Sequence, residues 1–201
     1  MSFFSQRVTR IQPSPTISIT AKAKKLKQEG KKIIDFSAGE PDFDTPDNVK
    51  NAAIKAIQDG QTKYTPVNGT KELNEAIIKK FKRENDLIFE PDEITVGCGG
   101  KQVIYNALLA TIEKGDEIII PSPYWVSYPD ITLLADGHPV VFDCSLENNF
   151  KISLQDLENK ITNRTKWIIL NSPSNPTGTL YSELELHNLA KILLKYPHVW
   201  I

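Results

Sequence analysis

The sequence contains few of the residues that cross-link small secreted domains or bind structural metals. Its 201 residues include only two cysteines, Cys98 and Cys144, which are far apart and lack the paired spacing of a metal site. No disulfide framework can be built from them, and such sparse cysteine is typical of a reducing compartment. We interpret both as thiols in or near the core, and we predict a cytoplasmic protein without a metal site.

Long apolar segments and an excess of one charge are also absent. No segment approaches the roughly 20 apolar residues of a membrane-spanning helix, and residues 1–15 hold no continuous apolar stretch of signal-peptide length. Lysine and arginine total 24 against 25 aspartates and glutamates, a net charge of −1. The basic run at 22–27 alternates with Ala and Leu, as on a solvated helix face. The sequence therefore predicts neither a membrane segment nor a nucleic-acid partner.

Enough apolar residues are present for a folded, globular chain, since 40% are hydrophobic and 24% are charged. The first ninety or so residues are predicted to be mostly helix and loop. A helix is expected over 16–27, closed by Gly30, and a short strand over 33–36. Two further helices, each with one apolar stripe, are expected after Pro46 and after the turn at 64–69.

From residue 93 onward, short β-branched runs alternate with helical patterns. The predicted strands are 93–96, 117–120, 139–144 and 166–170, and the predicted helices are 101–112, 127–136, one beginning at Ser153 and one beginning with the capping box of Ser182 and Glu185. This alternation predicts an α/β protein with a mainly parallel sheet sandwiched by helices. Residues 199–201 read as a strand that has barely begun, so we interpret the chain as a truncated product or fragment.

The junction TVGCGGKQ joins a predicted strand to a predicted helix. Gly97, Gly99 and Gly100 allow a tight turn, and the amides of Gly100, Lys101 and Gln102 open the helix, where partial positive charge favours an anion. Glycines also serve ordinary turns of this kind, so the junction alone leaves phosphate binding open. Neither GxxxxGK[ST] nor GxGxxG is present, which disfavours a nucleotide-binding protein.

Two other loops are predicted to reach the same edge of the sheet, because each follows a strand of a parallel sheet. Trp125 offers a flat indole that can stack on a flat ligand, although packing at the rim is the favoured interpretation for this residue taken alone. In NSPSNPTG, Asn175 can donate or accept hydrogen bonds, while Pro173 and Pro176 are candidates for cis peptide bonds. A plain turn would also use these residues. The convergence of all three motifs on one edge favours a ligand site.

Taken together, AGEPDFDTP, KYTPVNG, GGKQ, SPYWVSYPD and NSPSNPTG resemble class I pyridoxal-phosphate aminotransferases, and among these bacterial aspartate aminotransferases. The motifs occur in family order and at family spacing, from about Pro13 to the end. The resemblance implies an N-terminal helical arm and part of a small domain over 1–45. It also implies an incomplete large domain of the fold type I pyridoxal-phosphate transferases over 46–201. The implied cofactor is pyridoxal 5'-phosphate.

The resemblance also implies roles for individual residues. The backbone around Gly99, Gly100 and Lys101 would hold the cofactor phosphate, and Trp125 would stack on the pyridine ring. Asn175 would hydrogen-bond the phenolic oxygen of the ring, and Trp125 and Asn175 would also neighbour the substrate. The implied reaction transfers an amino group from an L-amino acid to a 2-oxo acid. The first candidates for this substrate pair are aspartate and 2-oxoglutarate.

The resemblance carries implications for three further positions. Gly39 would meet a substrate carboxylate through its backbone amide, where a side chain would obstruct the contact. Tyr64 is similar to the tyrosine that reaches across a homodimer to the partner's cofactor phosphate; the alternative is an aromatic packed in its turn. Relatives that accept prephenate tend to carry a lysine where this chain has Gln12, which argues against prephenate as a substrate.

No residue of this chain is assigned as the catalytic base. The lysine that forms the Schiff base in the family lies beyond position 201, and Lys101 occupies the phosphate-loop position instead. The competing hypothesis is therefore a catalytically inactive fragment or gene remnant.

Overall fold

The computed structural model describes residues 3–201, and the first two residues of the predicted arm lie outside them. The chain divides into two compact units. The sheet unit consists of the residues up to Gln12 together with Lys101–Ile201, and the helical unit is Pro13–Gly100. The predicted division of the chain after residue 45 stays a prediction.

A short helix, α1 (Gln6–Thr9), begins the described part of the sheet unit. Arg7 within the helix and Arg10 at its C-terminal end both pair with a single carboxylate far along the chain. Arg7 Nη2 lies 2.8 Å from Asp136 Oδ2, and Arg10 Nη1 donates to Asp136 Oδ1 at 3.0 Å. The arm is therefore tied to the sheet unit by two ion pairs that share one acceptor.

The helical unit contains α2 (Pro15–Gln28), α3 (Asp47–Gln58) and α4 (Lys71–Asn85), followed by a 3₁₀ turn at Pro91–Glu93. The predicted helices are confirmed, and their ends follow from local chemistry. The Ser14 hydroxyl accepts from the Ile17 amide and Pro15 occupies the first turn, which suits a residue without an amide hydrogen. Gly30 has a φ of 79°, the left-handed conformation that ends helices.

Two predicted strands, 33–36 and 93–96, are wrong, because neither segment pairs with a neighbouring strand. In the first, the Asp35 carboxylate accepts from the amide and hydroxyl of Ser37, so side-chain bonds shape the backbone there. In the second, the Val96 amide donates to the carbonyl of a loop residue, Asn68, at 3.1 Å. β-Branched residues favour extended backbone, but a strand also needs a partner.

The sheet unit alternates strands and helices, as predicted. Its elements are α5 (Gly100–Thr111), β1 (Glu117–Ser122), α6 (Ser127–Leu134), β2 (His138–Asp143), α7 (Leu154–Lys160), β3 (Thr165–Ile168) and α8 (Glu183–Leu193). The three strands are parallel, in the order β2-β1-β3. Trp200 forms an isolated parallel bridge to Trp167, which is all that the described chain shows of the strand expected at 199–201.

The central strand β1 supplies both faces of the core, because successive side chains of a strand point to opposite sides. Ile118 and Ile120 pack with the buried residues of α5 and α6, whereas Ile119 packs with Phe142 and the buried residues of α7 and α8. Helices therefore cover the sheet on both faces, which confirms the predicted α/β sandwich. Among residues 3–201, no helix is both long and apolar enough to cross a membrane.

Candidate functional site

The loops that follow β1 and β3 meet at the carboxyl edge of the sheet. They border a cleft whose walls include Ser122, Tyr124, Phe150, Asn171, Asn175 and Tyr181. Its volume is about 20 Å³, enough for roughly one water molecule. A larger ligand at this edge must therefore lie against the cleft rather than inside it. The predicted meeting of the tryptophan-bearing loop with the NSPSNPTG loop is confirmed within the sheet unit.

Trp125 is half-buried at this edge, and neighbouring side chains fix its ring. The indole meets the edge of Tyr128, with ring centroids 5.4 Å apart and planes at 90°. Lys101 Nζ lies 4.9 Å from the indole centroid, a distance typical of a cation–π contact. Burial raises the pKa of Tyr128, so its hydroxyl stays neutral. The structure thus brings two of the predicted site residues, Lys101 and Trp125, together.

The glycine junction exposes its backbone. Gly99 has a φ of 83°, where a side chain would be strained, and its amide donates to the Gly97 carbonyl at 2.9 Å. A Cβ atom added at Gly99 or Gly100 would meet no described atom within 4 Å. Helix α5 begins at Gly100, so its first amides have no partner inside the helix. The junction therefore offers an anion free space at the beginning of a helix.

The NSPSNPTG loop is closed by its own hydrogen bonds. The Asn175 amide donates to Asn171 Oδ1 at 2.8 Å, the Ser174 amide to the Thr179 carbonyl at 2.9 Å, and the Gly178 amide to the Ser174 carbonyl at 2.8 Å. The Asn175 residue itself is exposed. This arrangement presents the side-chain amide of Asn175 from a loop with a defined backbone.

The cis peptide bonds predicted before Pro173 and Pro176 are confirmed, and a third, at Ser122–Pro123, was not predicted. Tyr181 is another residue that the sequence reasoning missed. It lies three residues after Gly178, the last residue of the NSPSNPTG loop, and its hydroxyl accepts from the Ile152 amide at 2.9 Å. Burial raises its pKa.

Gly39 and Tyr64 belong to the helical unit. A Cβ atom added at Gly39 would meet no described atom within 4 Å, so space in front of its backbone is open. Tyr64 is fully exposed, which contradicts the alternative of an aromatic packed in its turn. Both residues are free for contacts outside the unit.

Among the described residues, the thiols and potential metal ligands form no second candidate site. Cys144 is buried, and its pKa is raised to about 11 by burial and by the nearby Asp143 carboxylate, so it is an unreactive core thiol. Cys98 is exposed rather than buried. The described part of the chain holds no group of three or more His, Cys, Asp or Glu side chains placed to bind a metal ion.

An α/β sandwich with a glycine junction, a fixed indole and an asparagine loop agrees with what sequence comparison finds. Residues 31–201 match the family of class I and II aminotransferases, and the chain belongs to that family. It is similar to a probable aspartate/prephenate aminotransferase of Rickettsia felis, with 59% identity over 99% of this chain and 49% of that protein. An aspartate/prephenate aminotransferase of Nitrosomonas europaea is also 59% identical, over 98% of this chain and 50% of the relative.

Solved structures give the same result for the fold. The chain is similar to an aspartate aminotransferase of Rhizobium meliloti, with a TM-score of 0.94 and 48% identity over 100% of this chain and 50% of that one. An aspartate aminotransferase of Thermus thermophilus with maleate has a TM-score of 0.93 and 43% identity, over 97% of this chain and 51% of its own. The chain therefore spans about half the length of the relatives it matches.

Proposed function

We propose that this chain supplies residues that bind and orient the cofactor in a pyridoxal-phosphate-dependent aminotransferase. The whole protein would move an amino group from an L-amino acid to a 2-oxo acid. The observation that carries the proposal is the placing of Lys101, from the glycine junction, against Trp125 at the edge where the Asn175 loop also arrives.

The residues present fit the shape and charge of pyridoxal phosphate. The open backbone at Gly99 and Gly100 suits a phosphate, because a Cβ added at either residue would meet no described atom within 4 Å and helix α5 begins at Gly100. The half-buried indole of Trp125 suits a flat aromatic ring. The amide group of Asn175 suits a phenolic oxygen, which is an acceptor in its ionised form.

Each described residue in this proposal binds or orients. The backbone around Gly99, Gly100 and Lys101 would hold the phosphate end, and Trp125 would support the ring and keep water from one of its faces. Asn175 donates its Nδ2 hydrogen to the phenolic oxygen and so sets the rotation of the ring. When bound, the cofactor supplies an electron sink for charge that develops at the substrate α-carbon. Lys101 is proposed to balance the negative charge of the phosphate and not to act as the base that removes a proton from the substrate.

Aspartate with 2-oxoglutarate is the proposed substrate pair, and the names of the relatives support aspartate. Those names also include prephenate. Gln12 is exposed and uncharged, so it lacks the positive charge that relatives accepting prephenate tend to carry at this position. We propose that Gln12→Lys increases activity with prephenate more than with 2-oxoglutarate. Steady-state kcat/KM for both acceptors measures this, in the full-length protein and with Gln28→Lys as a surface control.

A homodimer is proposed for the complete protein, with Tyr64 reaching the partner's cofactor phosphate. The support within this chain is the full exposure of Tyr64. Gly39 is proposed to offer its amide to a substrate carboxylate, because space in front of it is open. A cytoplasmic location is also part of the proposal, as is the division into an arm with part of a small domain over 1–45 and a large domain over 46–201.

Cofactor binding by the chain tests the proposal directly. We expect pyridoxal phosphate to bind the chain and Trp125→Leu to weaken binding roughly fivefold, since an aromatic pair contributes about 1 kcal/mol. Trp200→Leu is the matched control, because Trp200 is exposed and distant in sequence from the motifs. Absorbance and equilibrium dialysis measure the dissociation constants. Equal weakening by both substitutions, or no binding to the unsubstituted chain, would contradict the proposal.

The inactive fragment remains the competing function, and an assay separates the two. An inactive chain gives no transamination of aspartate with 2-oxoglutarate and no lysine adduct after borohydride reduction in the presence of pyridoxal phosphate. A stoichiometric lysine adduct with turnover would refute the inactive fragment. Mass spectrometry of the reduced protein locates the lysine.

A further inference from the structure

The Asn175 loop is attached to a second segment of the sheet unit, residues 145–152. The Tyr181 hydroxyl accepts from the Ile152 amide at 2.9 Å, and the Thr179 hydroxyl donates to the Asn149 carbonyl at 3.2 Å. The side chain of Ile152 is buried in the core with Leu157. The loop is therefore fastened at its C-terminal end to a point that the core holds in place.

An ion pair strengthens this attachment from the other side. Lys151 Nζ lies 2.7 Å from both carboxylate oxygens of Glu185 and 5.7 Å from the centre of the Tyr181 ring. Glu185 also accepts from the Ser182 amide at 2.7 Å, as the capping box of α8 requires. Lys151 thus connects the start of α8 with the segment that Tyr181 holds.

The attached segment has a backbone that needs such support. Asn149 and Phe150 have φ values of 51° and 55°, in the left-handed region, which asparagine adopts readily but a bulky residue such as phenylalanine adopts rarely. Such conformations persist where the surroundings fix them, and they cluster at functional sites. Here the Phe150 amide donates to the Ser145 carbonyl at 2.8 Å. Phe150 lines the same cleft as Asn175 and Tyr181.

We infer that Tyr181 is a positioning residue, which holds the Asn175 loop through its bond to Ile152 and with the support of the Lys151–Glu185 pair. This inference rests on the proposed function for its consequence, the aim of Asn175 at a phenolic oxygen. The hydroxyl of Tyr181 is engaged by the Ile152 amide, so Tyr181 acts on the ligand through the loop.

Hydrogen exchange of the chain without cofactor tests the attachment. Tyr181→Phe leaves the Ile152 amide without its acceptor, so we expect the amides of Ser174, Asn175 and Gly178 to exchange roughly tenfold faster. Tyr196→Phe is the matched control, since Tyr196 lies beyond α8 and contacts His198 rather than the loop. Acceleration spread equally over the β1 amides would show a general loss of stability and overturn the inference, as would unchanged exchange.

A second substitution separates the ion pair from the helix cap. Glu185→Gln retains an acceptor for the Ser182 amide but removes the charge that pairs with Lys151. We expect it to accelerate exchange of the same three loop amides about threefold and to leave the first amides of α8 unchanged. Loop exchange equal to that of the unsubstituted chain would contradict the role of the pair.

Ligand preference tests the consequence of the attachment. We expect the unsubstituted chain to bind pyridoxal phosphate more tightly than an analogue that lacks the phenolic hydroxyl, and Tyr181→Phe to reduce that preference about threefold, as Asn175→Ala does. An unchanged preference in Tyr181→Phe overturns the positioning role. If the unsubstituted chain binds neither compound, the proposed function fails, while the exchange measurements still decide whether Tyr181 holds the loop.

Discussion

Both units of this chain contain amphipathic helices, but their apolar side chains are buried in the sheet unit and largely exposed in the helical unit. Among residues 3–201, every buried apolar side chain lies in the sheet unit except that of Ile94. In the helical unit, the apolar stripe of α3 (Val49, Ile54 and Ile57) remains exposed. An apolar stripe therefore predicts where a helix forms, but burial of the stripe depends on a partner that local sequence does not specify. In the sheet unit that partner is β1.

Truncation of one large apolar side chain in each unit gives the largest expected contrast. Phe142 is 2% exposed and Ile57 is 67% exposed. Phe142→Ala is expected to lower the free energy of unfolding by about 4 kcal/mol, since it removes a buried ring and leaves a cavity. Ile57→Ala is expected to change it by less than about 0.5 kcal/mol. Urea unfolding followed by circular dichroism measures both, and comparable losses would break the distinction between the units.

Addition of a methyl group at two glycines should produce a smaller contrast. A Cβ at Gly137 would lie 2.7 Å from Ile118 Cδ1 and 2.9 Å from Ile112 Cγ2, whereas a Cβ at Gly100 would meet no described atom within 4 Å. We expect Gly137→Ala to cost about 2 kcal/mol through overpacking. Gly100→Ala should be neutral or slightly stabilising, by less than about 1 kcal/mol. Thermal unfolding tests this, and a neutral Gly137→Ala would show that the sheet unit is loosely packed.

Acid should remove one carboxylate contact from each unit, which is the smallest expected effect. The pKa of Glu185 is lowered from 4.5 to about 2, first by the hydrogen bond from Lys151 and then by those from Ser182. The pKa of Asp35 is lowered from 3.8 to about 2, first by the Ser37 hydroxyl. Because both values are lowered in the folded chain, each contact stabilises fully above the unfolded pKa and is lost as the pH falls towards 2.

The corresponding variants test this pH dependence. The difference in urea midpoint between the unsubstituted chain and Glu185→Gln should shrink as the pH falls from 4.5 to 2, and that for Asp35→Asn should shrink from 3.8 to 2. A difference that stays constant over this range would show that the lost contact was not ionic.

Features that depend on nearby residues could be predicted from the sequence. The capping box of Ser182 and Glu185 begins α8 as expected, because donor and acceptor lie three residues apart. The failures involve distant partners. The strand at 93–96 lacks a paired neighbour, and the bond from Ile152 to Tyr181 joins residues 29 positions apart. No local pattern indicates such a contact, so Tyr181 became visible only in the folded chain.

The dependence on a distant partner also determines when the N-terminal arm can dock during synthesis. Arg7 and Arg10 are synthesised before their shared acceptor, Asp136, which follows 126 residues after Arg10. At about 5–20 residues per second, the arm waits many seconds for its partner while the whole helical unit emerges. Docking of α1 therefore cannot begin until the segment that contains Asp136 has been synthesised.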